Sequence, residues 1–209
     1  MKPSFNYFSL KYLNQWLQHD SIYCEQLNSS CVTTQLKGFG SACKFYGIAR
    51  NLPLEHDEKK GVPRYLPAVV TLNNFDFSQL LNSELSGKIQ AQLNFENELS
   101  EKYGGEKRVL SLVTKILWLK HRSSVIIYDS RAKKALGYKG DDLAEYTAKW
   151  FKAFDEYRSA IEDCCTNLEY VVDFSIDPEV ATKEYVRNIT SKQWFHERVF
   201  DMYLWHYGG

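Results

Sequence analysis

The stretch LAEYTAKWFKAFDEYRSAIEDCCTNLEYV, residues 143–171, decides the fold class. Its apolar positions are Leu143, Tyr146, Trp150, Phe154, Tyr157, Ile161, Cys164, Leu168 and Val171. Steps of three and four put such side chains on one face of an α-helix, once per turn. Gly140 interrupts the chain just before, and Asp141 or Asp142 supplies a carboxylate that caps the first free N–H groups. The same spacing recurs outward in both directions. Leu10, Leu13, Trp16, Leu17, Ile22 and Tyr23 predict a helix from Ser9 to about Ser29. Further helices are expected over Phe77–Leu81, from Leu85 to Tyr103 with a stop at Gly104-Gly105, and from about Ser191 to Tyr207 with a stop at Gly208-Gly209. Asp177-Pro178 reads as the opening of a short helix with Pro at its first position. The class is mostly α.

Between Gly38 and Asn74 the pattern breaks up. Gly38, Gly40, Gly47, Pro53, Gly61, Pro63 and Pro67 punctuate it, and a charged loop, Glu55–Lys60, sits in the middle. Loops and short pieces are expected there, with Ala68–Leu72 a candidate strand. Little or no other β-structure is expected in the N-terminal half.

Composition narrows the rest. The 209 residues are 44% hydrophobic and 15% aromatic, with only 11 Gly and 5 Pro, which excludes disorder and collagen-like repeats. One domain over residues 1–209 is expected, with two lobes at 1–105 and 106–209. No apolar run follows the charged start and no 18 apolar residues run together, so neither a signal peptide nor a membrane span is expected. The glycosylation sequons at Asn28 and Asn188 are then coincidences. Five cysteines, with Cys164 and Cys165 adjacent, make a poor disulfide framework, and no C-x-x-C is present. They read as idle thiols of a cytoplasmic, monomeric protein that holds no metal or cofactor.

The formal net charge is zero, but it is not spread evenly. Residues 107–139 hold nine bases and one acid, Asp129, a balance of +8; residues 141–185 hold twelve acids and four bases, a balance of −8. A concentrated basic surface supports phosphate binding with counterion release. The alternative is that the acidic helix packs beside the basic block and neutralises it.

Inside the basic block lie Ser111-Leu112-Val113-Thr114-Lys115-Ile116-Leu117-Trp118-Leu119 and Val125-Ile126-Ile127-Tyr128-Asp129-Ser130-Arg131. Near the C-terminus come Glu197-Arg198-Val199-Phe200-Asp201-Met202-Tyr203-Leu204-Trp205. These motifs, about a fifth of the chain, resemble bacterial 8-oxoguanine-DNA-glycosylase-like proteins of the helix-hairpin-helix DNA glycosylase superfamily. The resemblance implies a helix-hairpin-helix glycosylase-like helical fold, with Lys115 and Asp129 as the catalytic lysine and aspartate. It implies double-stranded DNA with a damaged or modified base as partner, in repair or in defence against modified phage DNA. The superfamily's hairpin glycines are missing from Val109–Val113, and the cysteine positions exclude the iron–sulfur cluster of some relatives.

The residue types suit that chemistry. Breaking an N-glycosidic bond develops positive charge on the sugar, which a carboxylate stabilises, or the carboxylate activates the nucleophile. A lysine of lowered pKa can attack C1′ and form a Schiff base, adding strand cleavage. Either chemistry requires the base to be flipped from the stack. Arg131, Lys133 and Lys134, with Lys120, His121, Arg122 and Ser130, are the expected DNA contacts. Each residue has a plainer role open to it. Asp129 can simply cap a short helix from Ser130 to about Gly137. Lys115 lies at a helix start if that helix opens near Ser111 or Thr114, and in mid-helix if it runs from Glu106. Asp201 reads as a structural carboxylate paired with Arg198 or with another helix, and His196 and His206 as ordinary histidines. The alternative function is a non-catalytic DNA-binding module on a glycosylase scaffold, and a third is self-association through opposite charges.

Overall fold

The structure is a computed structural model that describes residues 4–52, 63–105, 107–122 and 125–209. The charged loop Glu55–Lys60, Glu106 and the Ser123-Ser124 break lie outside the described residues. In chain order the helices are α1 (Phe5–Gln15), α2 (Ser21–Leu27), α3 (Val32–Tyr46), α4 (Leu66–Asn74), α5 (Ser78–Asn82), α6 (Leu85–Lys102), α7 (Leu110–Lys120), α8 (Ser130–Ala135), α9 (Leu143–Thr166), α10 (Lys183–Thr190) and α11 (Gln193–Tyr207). Among the described residues there is no strand, so the fold is mostly α, and no helix is long and apolar enough to cross a membrane.

The chain forms two compact units, Met1–Ser21 with Tyr128–Gly209, and Ile22–Ile127. The divisions therefore fall at 21/22 and 127/128 rather than at 105/106.

In the first unit α1 packs against α9 and α11, and α11 also packs against α8. Phe8, Tyr12, Leu13, Trp150, Phe154, Phe195 and Phe200 are fully buried there. Each contributes on the order of 1.5–3 kcal/mol by leaving water. Trp150 stacks on Phe154, centroids 5.1 Å apart, and meets Phe200 edge-on, also at 5.1 Å. The stripe expected along α9 holds at Leu143, Tyr146, Trp150, Phe154 and Ile161. It is interrupted at Tyr157, which is exposed, and at Cys164, where Cys165 is buried instead, and Leu168 beyond the helix is again buried. Asp142 caps α9 by accepting from the Glu145 N–H at 2.8 Å. Between α1 and α2 one wide π-turn, Trp16–Asp20, holds the fully buried Asp20.

The helix expected at Asp177-Pro178 is corrected to a single turn. The Asp177 carboxylate accepts from the Val180 N–H at 3.2 Å and its carbonyl from Ala181 at 2.9 Å, so the turn closes on itself. α10 starts later, at Lys183, capped by Thr182.

In the second unit α6 packs against α4, α5 and α7, and α3 against α4 and α7. Leu27, Phe39, Leu80, Phe95, Leu99 and Trp118 are buried in it. Two expectations are corrected here. Gly38 and Gly40 do not break the chain but lie inside α3: a Cβ at Gly38 would meet Gln26 Cβ at 2.6 Å, so the glycine permits close approach to α2. Ala68–Leu72 is not a strand but the middle of α4. Pro67 falls in its first turn, where no N–H is needed, and Ala68, Val69, Thr71 and Leu72 share a buried helical face.

Candidate active site

Asp129 is the N-cap of α8. Its backbone is extended (φ −137°, ψ 139°), and Oδ1 accepts from the Arg131 N–H at 2.9 Å. An aspartate suits this place because its short side chain satisfies an N–H that the helix leaves free. The residue is half-buried, with Ser130 and Arg131 exposed beyond it. Capping and a role in chemistry are compatible, since capping fixes the carboxylate's direction.

Behind Asp129 lies a buried polar chain. The Tyr146 hydroxyl, fully enclosed, accepts a hydrogen bond from the Asp129 backbone N–H. Burial, then the charges of Asp201 and Asp129, push the Tyr146 phenol well above its usual range, so it stays protonated. Asp201, 8% exposed, accepts from Trp150 Nε1 at 2.9 Å and from Arg198 Nη1 at 3.0 Å. Arg198 also lies 3.8 Å from the buried carboxylate of Asp20 and 5.3 Å over the Tyr12 ring. A guanidinium between two carboxylates offsets the cost of enclosing charge, and removing Arg198 would leave two buried carboxylates uncompensated. Both partners left open for Asp201 are present, Arg198 on its own helix and, through Trp150, another helix.

The cations of α8 separate by surroundings. Arg131 is exposed and its guanidinium lies 4.0 Å from the Trp205 ring centroid, a cation–π geometry. Lys134 is exposed. Lys133 is held by Asp141 at 2.7 Å and lies over the Tyr128 and Tyr138 rings at 5.2 and 5.6 Å. Burial is the strongest single influence and works against its charge, but the hydrogen bonds and charges of Asp141 and Tyr128 together outweigh it and raise the pKa. This ion pair joins the basic block to the acidic one.

The remaining expected residues lie in the unit Ile22–Ile127. Lys115 is the sixth residue of α7, a mid-helix position, with only 5% of the residue exposed. Its ammonium donates to Ser111 Oγ at 3.0 Å, one turn back. α7 opens at Leu110, between the two starts left open by the sequence. Lys120 donates to the Leu27 carbonyl at 2.8 Å, closing the end of α2, and burial lowers its pKa. His121 packs on Phe77 with centroids 4.3 Å apart. Burial, then Lys120 and Arg122, lower its pKa. Arg122 is half-buried.

Sequence reading missed Tyr146 and Trp205 as neighbours of the site. Tyr146 was visible only as one apolar position of α9. Nothing local marks its hydroxyl as Asp129's partner. Among the described residues no three His, Cys, Asp or Glu side chains gather as a metal would require. Comparison with protein-family models, curated proteins and solved structures finds no match.

Proposed function

We propose that this chain is a DNA N-glycosylase in which Asp129 is the carboxylate of the reaction. The observation that carries the reading is the fixed, half-exposed Asp129 at the head of a helix whose exposed cations are Arg131 and Lys134. Arg131 and Lys134 hold the phosphates flanking the target, and the flipped nucleotide presents C1′ to Asp129. The carboxylate stabilises the positive charge that develops on the sugar as the glycosidic bond breaks. Water adds to C1′ and loses a proton; the base leaves with the bonding pair and gains one. Tyr146, which accepts from the Asp129 N–H, is a positioning residue for the Asp129 backbone. The substrate class is a damaged or modified base in double-stranded DNA, and the setting is cytoplasmic, in repair or in defence against modified phage DNA.

The experiment is base release from labelled duplexes carrying different modified bases, read as strand breaks after alkali. Release that is lost in Asp129→Asn supports the reading. Release that Asp129→Asn leaves intact, or none from any substrate, overturns it. In the latter case, salt-dependent DNA binding that weakens in the Arg131→Gln/Lys134→Gln protein identifies a binding module instead. The resemblance assigns the Schiff-base role to Lys115, and borohydride trapping tests this separately: a covalent adduct lost in Lys115→Ala supports it. Base release without an adduct limits the enzyme to hydrolysis.

A further inference from the structure

The segment between α9 and α10 leaves its large apolar side chains outside. Phe174 is 74% exposed, Tyr170 69%, Ile176 52% and Val180 50%, all within residues 170–180. A single exposed apolar residue is ordinary on a surface, whereas a group of them marks a place where another surface docks. The backbone that carries them is fixed. The Phe174 and Ser175 N–H groups donate to the Val171 and Val172 carbonyls at 3.0 and 2.9 Å, and the Ile176 N–H donates to Asn14 Oδ1 of α1 at 2.8 Å. Ser175 and Ala181 fill the buried positions of the segment.

The same stretch is acidic. Asp173, Asp177, Glu179 and Glu184 are exposed along it, and Lys183 is the one cation of residues 169–184. Glu169 is taken by Arg187, whose Nε donates to it at 2.7 Å. An occupant must therefore bring cations together with apolar or aromatic area. This chain carries such a surface in the same compact unit. Arg131 and Lys134 of α8 are exposed three positions apart, on one face of the helix. Trp205 of α11 is 46% exposed, and the Arg131 guanidinium lies 4.0 Å from its ring centroid. A guanidinium stacked on an indole presents charge and apolar area at one place, held in position before any partner arrives.

We propose that the exposed acidic and apolar stretch at residues 170–180 of one copy docks on the Arg131, Lys134 and Trp205 surface of a second copy. Like charges repel within each surface and opposite charges meet between them, which selects the facing surface and its register. In a two-fold pair each copy gives both surfaces, so the contact is made twice. The inference stands without the glycosylase reading. Duplex DNA on α8 competes for the same cations, so association is measured without DNA and base release is scored apart from it.

The test is sedimentation velocity of the full chain, from about 1 µM to about 1 mM protein. Salt is held at about 0.1 M, where a Debye length of about 10 Å lets facing charges act on each other. The parent should sediment increasingly faster than a single chain as concentration rises. Phe174→Ser, a change at a side chain outside the core, should weaken association roughly tenfold or more. Asp173→Lys/Glu179→Lys and Arg131→Glu/Lys134→Glu should each weaken their own association to a similar degree, because like charges then face each other. Mixed one to one, the two reversed proteins should associate again, since each surface once more meets its opposite. Lys134→Glu alone replaces the second pair if that pair melts early by far-UV circular dichroism. A parent that sediments as a single chain over the whole range overturns the proposal and leaves the stretch to a basic segment of another protein. Association that Phe174→Ser leaves intact, or that mixing fails to restore, overturns it as well.

Discussion

Gly208→Ala should destabilise the protein, although glycine-to-alanine changes near helix ends often do the reverse. Gly208 follows α11 with φ −91°, in the right-handed region, so its backbone does not require glycine. Space does. A Cβ there would lie 1.8 Å from the Arg131 carbonyl oxygen, 2.6 Å from its carbonyl carbon and 3.0 Å from its Cα. Real Cβ contacts essentially never fall below 3.0 Å, so the end of α11 and the start of α8 must part by more than an ångström. The unfolded-chain entropy that alanine removes is worth about 0.4–1 kcal/mol, whereas overpacking costs about 1–3 kcal/mol. The obstacle is backbone and has no rotamer to yield, so the clash wins by about 1–2 kcal/mol. At about 2–4 °C per kcal/mol for a chain of this size, Tm should fall by roughly 2–8 °C. Thermal melts followed by far-UV circular dichroism read this directly. Gly209→Ala is the control: its Cβ would meet Arg131 first at Nη1, at 3.2 Å, and that guanidinium can move. A Gly208→Ala protein that melts at or above the parent's temperature would refute the argument that α11 closes onto the backbone carrying Arg131.

Three further expectations follow from buried and exposed groups. Tyr146→Phe leaves the Asp129 N–H without its acceptor, so stability should drop by about 1–3 kcal/mol by urea titration. A change within experimental error would mean that the hydroxyl does not hold Asp129. Cys31 should be the first thiol alkylated by limiting iodoacetamide. The Thr34 backbone and hydroxyl hold it below its usual 9.0, whereas burial pushes Cys43 up to about 12 and raises Cys165. Peptide mass spectrometry that found Cys43 labelled as fast in the native protein would contradict this order. Finally, burial holds His121 and His196 below 6.5 in the folded chain, so they are neutral at pH 7 and charge more readily once unfolded. Their contribution is present above about 6.5 and is lost as pH falls below it, towards the lowered folded values. The urea midpoint should decline between about pH 7 and 5.5, and less steeply in His121→Gln/His196→Gln. An unchanged slope in that variant would assign the decline to other groups.

Much of the helical class was legible because its signals are local. The spacing along α9, the Asp142 cap and the stop at Gly104-Gly105 each depend on residues a few positions apart. The errors came where one residue type serves two ends. Gly38 reads as a breaker but is a contact with Gln26, and Pro67 punctuates a strand reading yet suits a first helical turn. Of the candidate site, the capping geometry of Asp129 could be read from Asp129-Ser130-Arg131 alone. What surrounds the lysines could not. Lys120 ends on a carbonyl 93 residues earlier, and no pattern near Lys120 announces that partner. Lys133 and Arg131 sit two residues apart with similar sequence surroundings, yet one is pinned by Asp141 and the other lies over Trp205.

The placement of Met1–Ser21 with Tyr128–Gly209 sets an order on synthesis. The stretch Ile22–Ile127 is continuous, so a growing chain can close that unit's core once Ile127 has emerged. α1 emerges before its mates, α9 and α11, have been translated. Phe8, Tyr12 and Leu13, which end fully enclosed, therefore wait in the open nascent chain. A ribosome that stalls after Ile127 exposes that apolar face to chaperones and proteases.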